Sequence, residues 1–155
     1  MKSDEDFMSR CLELGRAALA VGDAPVGTLI VIGGKIIAEG IEAVRAKNDP
    51  TAHAEIEAVR LACKKLNKLN LSGSTLYTNV EPCVMCAFAI RQTGIREVVF
   101  GLSNSDVGGA TSKFPVLTDS DFPAKHDPPE IRAGVLRAEC KQLLREFRAL
   151  RKVEK

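Results

Sequence analysis

Two predicted helices, each preceded by a proline, flank one apolar strand, and this order constrains the fold more than any other feature of the chain. In "DPTAHAEIEAVRLACKKLNKL", apolar residues recur at offsets of three and four from Ile56 onward, with the lysines off that stripe. "STLYTNV" is typical of a buried strand, and a second helix is predicted to start at Pro82-Cys83 and to end at Gly94. Helix, strand and helix in succession favour an α/β domain in which helices cover a sheet.

The rest of the chain continues this alternation. The further predicted elements are a helix from Asp4 to Val21, the hairpin strands "VGTLIVI" and "KIIAEGI" around Gly33-Gly34, the strand "REVVFGL", a loop over 103–130, and a helix from about Pro129 to Val153. The expected sheet is mixed, with an antiparallel hairpin at the start and parallel pairing later. With 155 residues, of which 45% are hydrophobic, residues 1–155 are predicted to form a single domain with one core.

Charge and composition exclude several classes of function. The net charge of +2 is far from the excess that identifies a nucleic-acid binder by itself. The longest apolar runs are too short to span a bilayer, and "MKSDEDFMSR" lacks the basic start and apolar centre of a signal peptide, so we expect a cytoplasmic protein with no membrane partner. Five cysteines, two of them three residues apart, favour metal or redox chemistry over a disulfide framework.

The spacing of His53 and Glu55 predicts that both lie at a helix start. In the middle of a helix, two residues separated by one position point to nearly opposite sides and could not serve one site. A proline just ahead of each motif places both motifs at helix N-termini, where first-turn side chains can converge beyond the helix end. Cys83 and Cys86 share one face of the second helix, and the partial positive charge at its start favours thiolates.

Two thiolates and one imidazole form a ligand set that suits zinc. Three protein ligands leave the fourth tetrahedral position open, which is the mark of a catalytic site. Taken separately, Cys-x-x-Cys could be a redox pair and His53 a capping or core residue. Taken together, "HAE" at 53–55 and "PCVMC" at 82–86 fit the H-x-E…P-C-x-x-C pattern of zinc deaminases. The remaining cysteines lie on apolar helical stripes and are predicted to pack in the core, namely Cys11, Cys63 and Cys140.

Three stretches carry a more specific resemblance. "APVGTLIV", "NDPTAHAEIEAVR" and "TLYTNVEPCVMCAFAIRQTGIREVVFG" resemble the cytidine deaminase-like superfamily, and most closely its bacterial tRNA adenosine deaminase and guanine deaminase branches. The resemblance implies a three-layer α/β/α fold with a five-stranded mixed sheet. It also implies a hydrolytic deaminase that holds one zinc per chain through His53, Cys83 and Cys86, with Glu55 as the catalytic proton carrier. The substrate-binding residues in the resulting prediction are Val26, Glu42, Ala54, Glu81 and Asp106.

The same resemblance implies a homodimer, because the helix that carries Cys83 often lies at the dimer contact in these branches. Met85, Phe88 and Ile90 are available on this helix for such a contact. Core packing accounts for these three residues equally well, so both interpretations stay open.

The identity of the substrate depends on two departures from the family pattern. The tRNA branch carries an asparagine eleven residues before the zinc histidine and a lysine after "VVFG", where this chain has Glu42 and Asp106. Two carboxylates near the site disfavour a phosphate-rich loop. The guanine deaminase branch also usually has asparagine at position 42. Against this, the basic tail "KQLLREFRALRKVEK" resembles the C-terminal helix of the tRNA enzymes, although a solvated amphipathic helix explains its charges about as well.

The sequence therefore leaves three ordered interpretations of function. We expect deamination of a small-molecule nucleobase, nucleoside or related aminated heterocycle, slightly ahead of the wobble adenosine of tRNA. A non-catalytic structural zinc or binding module is the third alternative. Glu55 argues against this third alternative, because a structural zinc site would close with a fourth ligand and would not need a free carboxylate.

Overall fold

The protein, of which a computed structural model describes residues 1–153, folds into one five-stranded sheet with helices on both faces. No helix in this range is long and apolar enough to cross a membrane. In chain order the elements are α1 (Asp4–Ala20), β1 (Gly27–Ile32), β2 (Lys35–Ile41), α2 (Val44–Lys47), α3 (Ala54–Leu66), β3 (Ser74–Val80), α4 (Val84–Thr93), β4 (Glu97–Leu102), β5 (Glu130–Ala133) and α5 (Arg137–Val153).

The sheet has the strand order β2-β1-β3-β4-β5 and is mixed, as predicted. Strand β1 pairs antiparallel with both β2 and β3, whereas the β3–β4 and β4–β5 pairs are parallel. The hairpin turns at Gly33 and Gly34, whose φ angles of 57° and 78° lie in the region that glycine enters without strain. The α/β fold with a five-stranded mixed sheet is thereby confirmed.

Alternation along the strands divides the core into two layers. Side chains such as Leu29 and Tyr77 face α1 and α5, where Cys11 and Cys140 are also buried. Their sequence neighbours face the layer formed by α3 and α4, and they include Ile30, Leu76 and Val98. The period of two in a strand sends successive residues to opposite faces, so one sheet supports both helix layers. Cys63, in contrast, is only half-buried at the edge of the second layer.

Four chain segments meet at one end of the sheet because of this pairing. Gly27 pairs with Ile41, so the entry to β1 and the exit from β2 lie together. Val80 pairs with Leu102, so the carboxyl ends of β3 and β4 also lie together. Since β1 and β3 are antiparallel, all four points fall at the same sheet end, which is where α3 and α4 begin.

The prediction that the last helix begins near Pro129 was wrong. Residues Glu130–Ala133 form the edge strand β5, and the helix begins only at Arg137. Gly134 and Leu136 have positive φ angles of 84° and 50°, which interrupt any helix across this segment. Cys140 and Leu143 are buried as expected, whereas Leu150 is 52% exposed. Residues 154–155, the end of the basic tail, lie outside the described residues.

Candidate active site

His53 and Cys83 occupy equivalent positions at the starts of two helices. Each is the N-cap residue of its helix, α3 for His53 and α4 for Cys83, with extended backbone angles. Neither side chain forms a capping hydrogen bond. The side chain of His53 therefore does not cap its helix, and both side chains are free to point beyond the helix ends.

The three predicted ligands lie together in space. The Nδ1 atom of His53 is 3.6 Å from the Sγ atom of Cys83 and 3.6 Å from that of Cys86. A tetrahedral zinc, with a Zn–N distance near 2.0–2.1 Å and a Zn–S distance near 2.3 Å, separates nitrogen from sulfur by about 3.6 Å. All the donor atoms lie within 4.8 Å of one another. The donor set and its spacing therefore fit zinc.

The cluster also shifts the pKa values of its own groups. Hydrogen bonds to Cys83 from Cys86 and from His53, the former having the larger effect, lower the pKa of the Cys83 thiol to about 4. The hydrogen bond to Cys83 raises the pKa of His53 to about 9, against the opposing effect of burial. The hydrogen bond to Cys83 and burial raise the pKa of Cys86 far above its ordinary range. The lowered pKa of Cys83 favours its thiolate, the form that binds metal.

Glu55 lies beside the cluster without belonging to it. Its side chain is buried, with 4% of its surface exposed. One carboxylate oxygen accepts a hydrogen bond from the hydroxyl of Thr78 at 3.3 Å, and the other is 3.6 Å from the thiol of Cys86. Burial raises the pKa of Glu55. A carboxylate with a raised pKa is a better base near neutral pH, which suits proton transfer.

A cavity of about 210 Å³ opens next to the cluster. Its walls come from all four segments that meet at this end of the sheet. They are Val26 before β1, Glu42 after β2 with His53 and Glu55 at the start of α3, Val80 at the end of β3 with Glu81 and Cys83 after it, and Asn104 and Val107 after β4. The structure therefore brings Val26, Glu42 and Glu81 to the cavity. Their contact with substrate stays a prediction.

Glu42 is half-buried at the cavity wall rather than turned outward as an ordinary loop residue. Its Oε1 atom accepts a hydrogen bond from the N–H of Ala54 at 2.9 Å. Its other oxygen accepts no hydrogen bond from residues 1–153. Burial, reinforced by repulsion from the Glu55 carboxylate, raises the pKa of Glu42 to about 7. The cavity wall thus presents a carboxylate at the position where the resembled branches carry an asparagine.

Two predicted substrate-binding residues have other surroundings. The backbone N–H of Ala54 is already engaged by Glu42. Asp106 is exposed and does not line the cavity. Its backbone N–H donates to the side-chain oxygen of Asn104 at 3.2 Å, in a tight turn at the tip of the loop.

The sequence interpretation missed four residues of the site. Thr78 touches the Glu55 carboxylate from β3 and Val80 lines the cavity at the end of that strand, while Asn104 and Val107 line the cavity from the loop after β4. The parallel pairing of β3 and β4 would have identified Asn104 and Val107, because the loops that follow two parallel strands lie at the same end of the sheet. A buried threonine in a strand carries no such signal, since threonine is common in strands.

Comparison with known proteins supports the same site. Residues 1–102 match the family model described as the cytidine and deoxycytidylate deaminase zinc-binding region. The tRNA-specific adenosine deaminase of Haemophilus influenzae is 41% identical over 153 residues, which are 98% of this chain and 87% of that protein. The matched range of the family model contains the three residues of the cluster and Glu55.

Two solved structures extend the comparison to the fold. One, from a study of A-to-I editing by tRNA:A34 deaminases at the wobble position of transfer RNA, has a TM-score of 0.83 at 33% identity and covers 89% of this chain and 98% of its own. The other, a guanine deaminase from Nitrosomonas europaea, has a TM-score of 0.81 at 28% identity, with coverage of 96% and 86%. The fold is thus shared with deaminases of two different substrates.

Proposed function

The chain belongs to the cytidine and deoxycytidylate deaminase family of zinc-dependent hydrolases, and within this family we propose that it is a tRNA adenosine deaminase that converts the wobble adenosine to inosine. The observation that carries this proposal is the 41% identity, over nearly the whole chain, to a tRNA-specific adenosine deaminase. The proposal reverses the order expected from sequence, which placed a small base or nucleoside first.

The reversal has a structural reason at Asp106. The electrostatic objection to RNA rested on two carboxylates near the site, at positions 42 and 106. Asp106 is exposed and lies outside the cavity lining. Exposed charges are screened by solvent and salt, so this carboxylate repels a phosphate backbone only weakly. Glu42 remains the one departure that faces the cavity.

The reaction assigns a role to the ligand cluster, to Glu55 and to Thr78. His53, Cys83 and Cys86 would hold the zinc, which supplies the Lewis acidity that makes water a nucleophile near neutral pH. Glu55 accepts the proton of the attacking water and delivers it to the ring nitrogen next to the attacked carbon. It then moves the second proton of that water, from the hydroxyl now on the ring carbon, to the departing amine as the C–N bond breaks, so water and an amino-substituted ring yield a carbonyl and ammonia. Thr78 orients the Glu55 carboxylate through its hydroxyl.

A basic surface that includes the chain segment after Glu42 supports an RNA substrate. Arg45 follows Glu42 by three residues and lines a small cleft together with Arg151 and Phe147 of α5. The adjoining groove of about 520 Å³ is lined by Arg148, Lys152 and the same two residues of α5. Cations interleaved with an aromatic side chain suit a phosphate backbone and its bases.

The decisive experiment is a substrate panel. The zinc-loaded protein is incubated with a tRNA anticodon stem-loop, free adenosine, guanine, cytosine, their nucleosides and amino-triazines, and ammonia and inosine are measured. The matched control is the same stem-loop with cytidine at the wobble position. We expect inosine only from the adenosine stem-loop. Fast deamination of guanine or a nucleoside, without any reaction of the RNA, would overturn the proposal.

One observation favours a second candidate, deamination of a free purine base. Glu42 offers a carboxylate where both related branches usually offer an amide. It lines the cavity, and its second oxygen has no hydrogen-bond partner among residues 1–153. A carboxylate accepts hydrogen bonds, so it suits a ring edge that carries an amino group or N–H. The likeness to the guanine deaminase of Nitrosomonas europaea agrees with this alternative.

The non-catalytic alternative has less support. A structural zinc site closes with four protein ligands. The cluster in the described part of the chain has three, and Glu55 lies beside it with a raised pKa. A separate base next to an incomplete ligand set serves no purpose in a structural site.

We also propose that residues 1–155 form one deaminase domain that assembles as a homodimer and works in the cytoplasm, where tRNA is found. Phe88 on α4 is 42% exposed, and Phe114 and Val107 are exposed as well. Ile90 belongs to the core, so of the residues available for the contact only Phe88 and the half-buried Met85 remain. Sedimentation of the protein and of a Phe88→Asp variant tests this, with a monomeric wild type as the contrary result.

A further inference from the structure

Glu81 is a buried carboxylate whose hydrogen-bond partners are all uncharged. Only 2% of its surface is exposed. Its Oε1 atom accepts from the N–H of Asn104 at 3.0 Å and from the hydroxyl of Thr111. Its Oε2 atom accepts from the N–H groups of Ala110 and Thr111, both at 2.9 Å. Burying a carboxylate is unfavourable unless donors replace its water, and here four donors do so.

All four donors come from one loop, residues 104–111. The loop lies along the segment that carries the metal ligand Cys83. The N–H of Gly109 donates to the carbonyl of Pro82 at 2.8 Å, and the N–H of Val84 donates to the carbonyl of Val107 at 3.0 Å. Glu81 therefore lies between the start of α4 and the loop. Its carboxylate accepts the hydrogen bonds of loop N–H groups that have no strand or helix to pair with.

Gly108 marks how closely the loop approaches this carboxylate. A Cβ atom at position 108 would lie 1.9 Å from Oε2 of Glu81 and 2.3 Å from the carbonyl oxygen of Asn104. No larger residue fits there unless the loop moves away. The loop conformation and the Glu81 carboxylate are thus mutually dependent.

The loop in turn forms one wall of the catalytic cavity. Asn104 and Val107 line the cavity opposite Glu42. The side-chain oxygen of Asn104 accepts hydrogen bonds from the N–H groups of Asp106 and Val107, at 3.2 and 3.4 Å, so it closes the tip of the loop. Asn104 and Val107 therefore lie at the tip of a loop that is itself hydrogen-bonded to Glu81.

We propose that Glu81 is a positioning residue that fixes loop 104–111 as the substrate-facing wall of the cavity. It acts on substrate affinity through Asn104 and Val107, and its own oxygens are occupied by the loop. This inference rests on the proposed function, because the wall matters only if a base enters the cavity. It refines the expectation that Glu81 itself contacts the substrate.

The test compares Glu81→Gln with two substitutions of Thr111, an exposed residue outside the catalytic machinery. In Glu81→Gln, an NH₂ group replaces one acceptor and faces loop donors. Hydrogen exchange should become about tenfold faster across residues 104–111, and KM should rise about threefold or more for whichever substrate the wild type deaminates. The kcat value, its pH profile and the zinc content should not change. Thr111→Val should raise the exchange rate and KM by less than Glu81→Gln does. Thr111→Ser keeps the hydroxyl and should show wild-type exchange and KM.

Each contrary result identifies a different error. A lower kcat with an altered pH profile would mean that Glu81 takes part in proton transfer, and a loss of zinc would assign it to the metal site. A higher KM with unchanged hydrogen exchange, and no effect of Thr111→Val, would mean that Glu81 contacts the substrate directly. If Glu81→Gln does not fold, the Thr111 pair decides. Failure of the wild type on every substrate refutes the proposed function, whereas the exchange measurement still tests the positioning of the loop.

Discussion

Glu55 separates metal binding from catalysis, because it lies beside the ligand cluster without being part of it. We predict that Glu55→Gln keeps the fold and the zinc but lowers kcat by about a thousandfold, since an amide cannot transfer protons. Metal analysis and ammonia release measure the two effects. Glu57→Gln is the matched control two positions along α3, where the carboxylate pairs with Lys47 and Arg60 at the surface, and it should keep full activity.

A Glu55→Gln variant that retained a large fraction of activity would mean that another base does the work. Loss of zinc in this variant would instead mean that Glu55 is a ligand. Both outcomes contradict the arrangement described here.

Glu42 is the residue through which this chain departs from its relatives inside the cavity. The charged carboxylate, which predominates above the Glu42 pKa of about 7, only accepts hydrogen bonds, whereas asparagine also donates. We predict that Glu42→Asn improves deamination of adenosine-like rings, whose edges present bare nitrogens, and weakens deamination of rings that present an amino group or N–H. An unmatched buried polar group costs about 1–3 kcal/mol, so the relative rates should shift about tenfold or more.

The substrate panel measures this shift as a ratio of kcat/KM values, which removes any common effect on folding. Asparagine is one methylene shorter than glutamate, so Glu42→Asn also weakens the hydrogen bond to the N–H of Ala54 at the start of α3, an effect common to all substrates. Identical ratios for the two proteins would mean that Glu42 does not face the substrate.

The starts of α3 and α4 form a pair of elements that zinc would join. We predict one zinc per chain. Cys83→Ala should lose it and Cys63→Ser should retain it, because Cys83 belongs to the cluster and Cys63 does not. A ligand that binds only the folded state stabilises it by several kcal/mol at a high ratio of concentration to Kd. Chelation should therefore lower the Tm of the wild type and of Cys63→Ser, and leave that of Cys83→Ala unchanged. Zinc retained by Cys83→Ala would refute the ligand set.

The first turn of α1 is tied to the sheet through Asp4. Its carboxylate accepts from the hydroxyl of Tyr77 on β3 at 2.8 Å and from the guanidinium of Arg132 on β5 at 2.9 and 3.1 Å. The hydrogen bond from Arg132 holds the pKa of Asp4 below its ordinary value of 3.8. We predict that Asp4→Asn lowers the free energy of unfolding by about 1 kcal/mol at pH 7, a small value because the pair is partly exposed.

The same pKa shift fixes the sign of the pH dependence. A carboxylate with a lowered pKa in the folded state stabilises the fold above the unfolded-state pKa, and this contribution is lost as the pH falls through the folded-state pKa. The difference between wild type and Asp4→Asn should therefore be constant near neutral pH and shrink below pH 3.8. Urea unfolding at several pH values measures it, with Glu5→Gln in the same helical turn as the control. An equal loss in Glu5→Gln would assign the effect to helix charge alone.

The elements differ in how far the sequence predicts them, for physical reasons. The starts of α3 and α4 were predictable because proline, a local signal, precedes each one. The edge strand β5 was not, since its pairing with β4 is a long-range contact and its sequence is short. The loop after β4 was predicted only as a loop. Its conformation depends on two buried charges distant in sequence, Glu81 and Arg91, the latter donating to the carbonyls of Val116, Asp119 and His126.

At the scale of the whole molecule, the strand pairing assembles one site from distant parts of the sequence. The antiparallel and parallel pairs bring the termini of four strands to one end of the sheet. The metal cluster could be predicted, because its spacing within each helix start is local. The cavity walls could not all be predicted, because they depend on the register between strands. A base that belongs to a large molecule must reach the cavity at this end of the sheet. The surface around the cavity therefore determines which large molecule can bind.

The basic surface around Arg45 and Arg151 therefore provides the last prediction. Both side chains line one cleft, and Arg45 follows the cavity residue Glu42 by three positions, so we expect the phosphates of an RNA loop to bind there. Each lost phosphate contact on single-stranded RNA reduces the slope of log K against log salt by about 0.7. The Arg45→Gln/Arg151→Gln double variant should weaken stem-loop binding about tenfold at low salt and reduce this slope by about 1.4, while zinc content stays unchanged. Arg96→Gln is the control, since Arg96 lies before β4 at the opposite end of the sheet and pairs with Glu97. An equal loss in Arg96→Gln would mean that net charge alone attracts the RNA, and an unchanged slope in the double variant would remove this surface from the binding site.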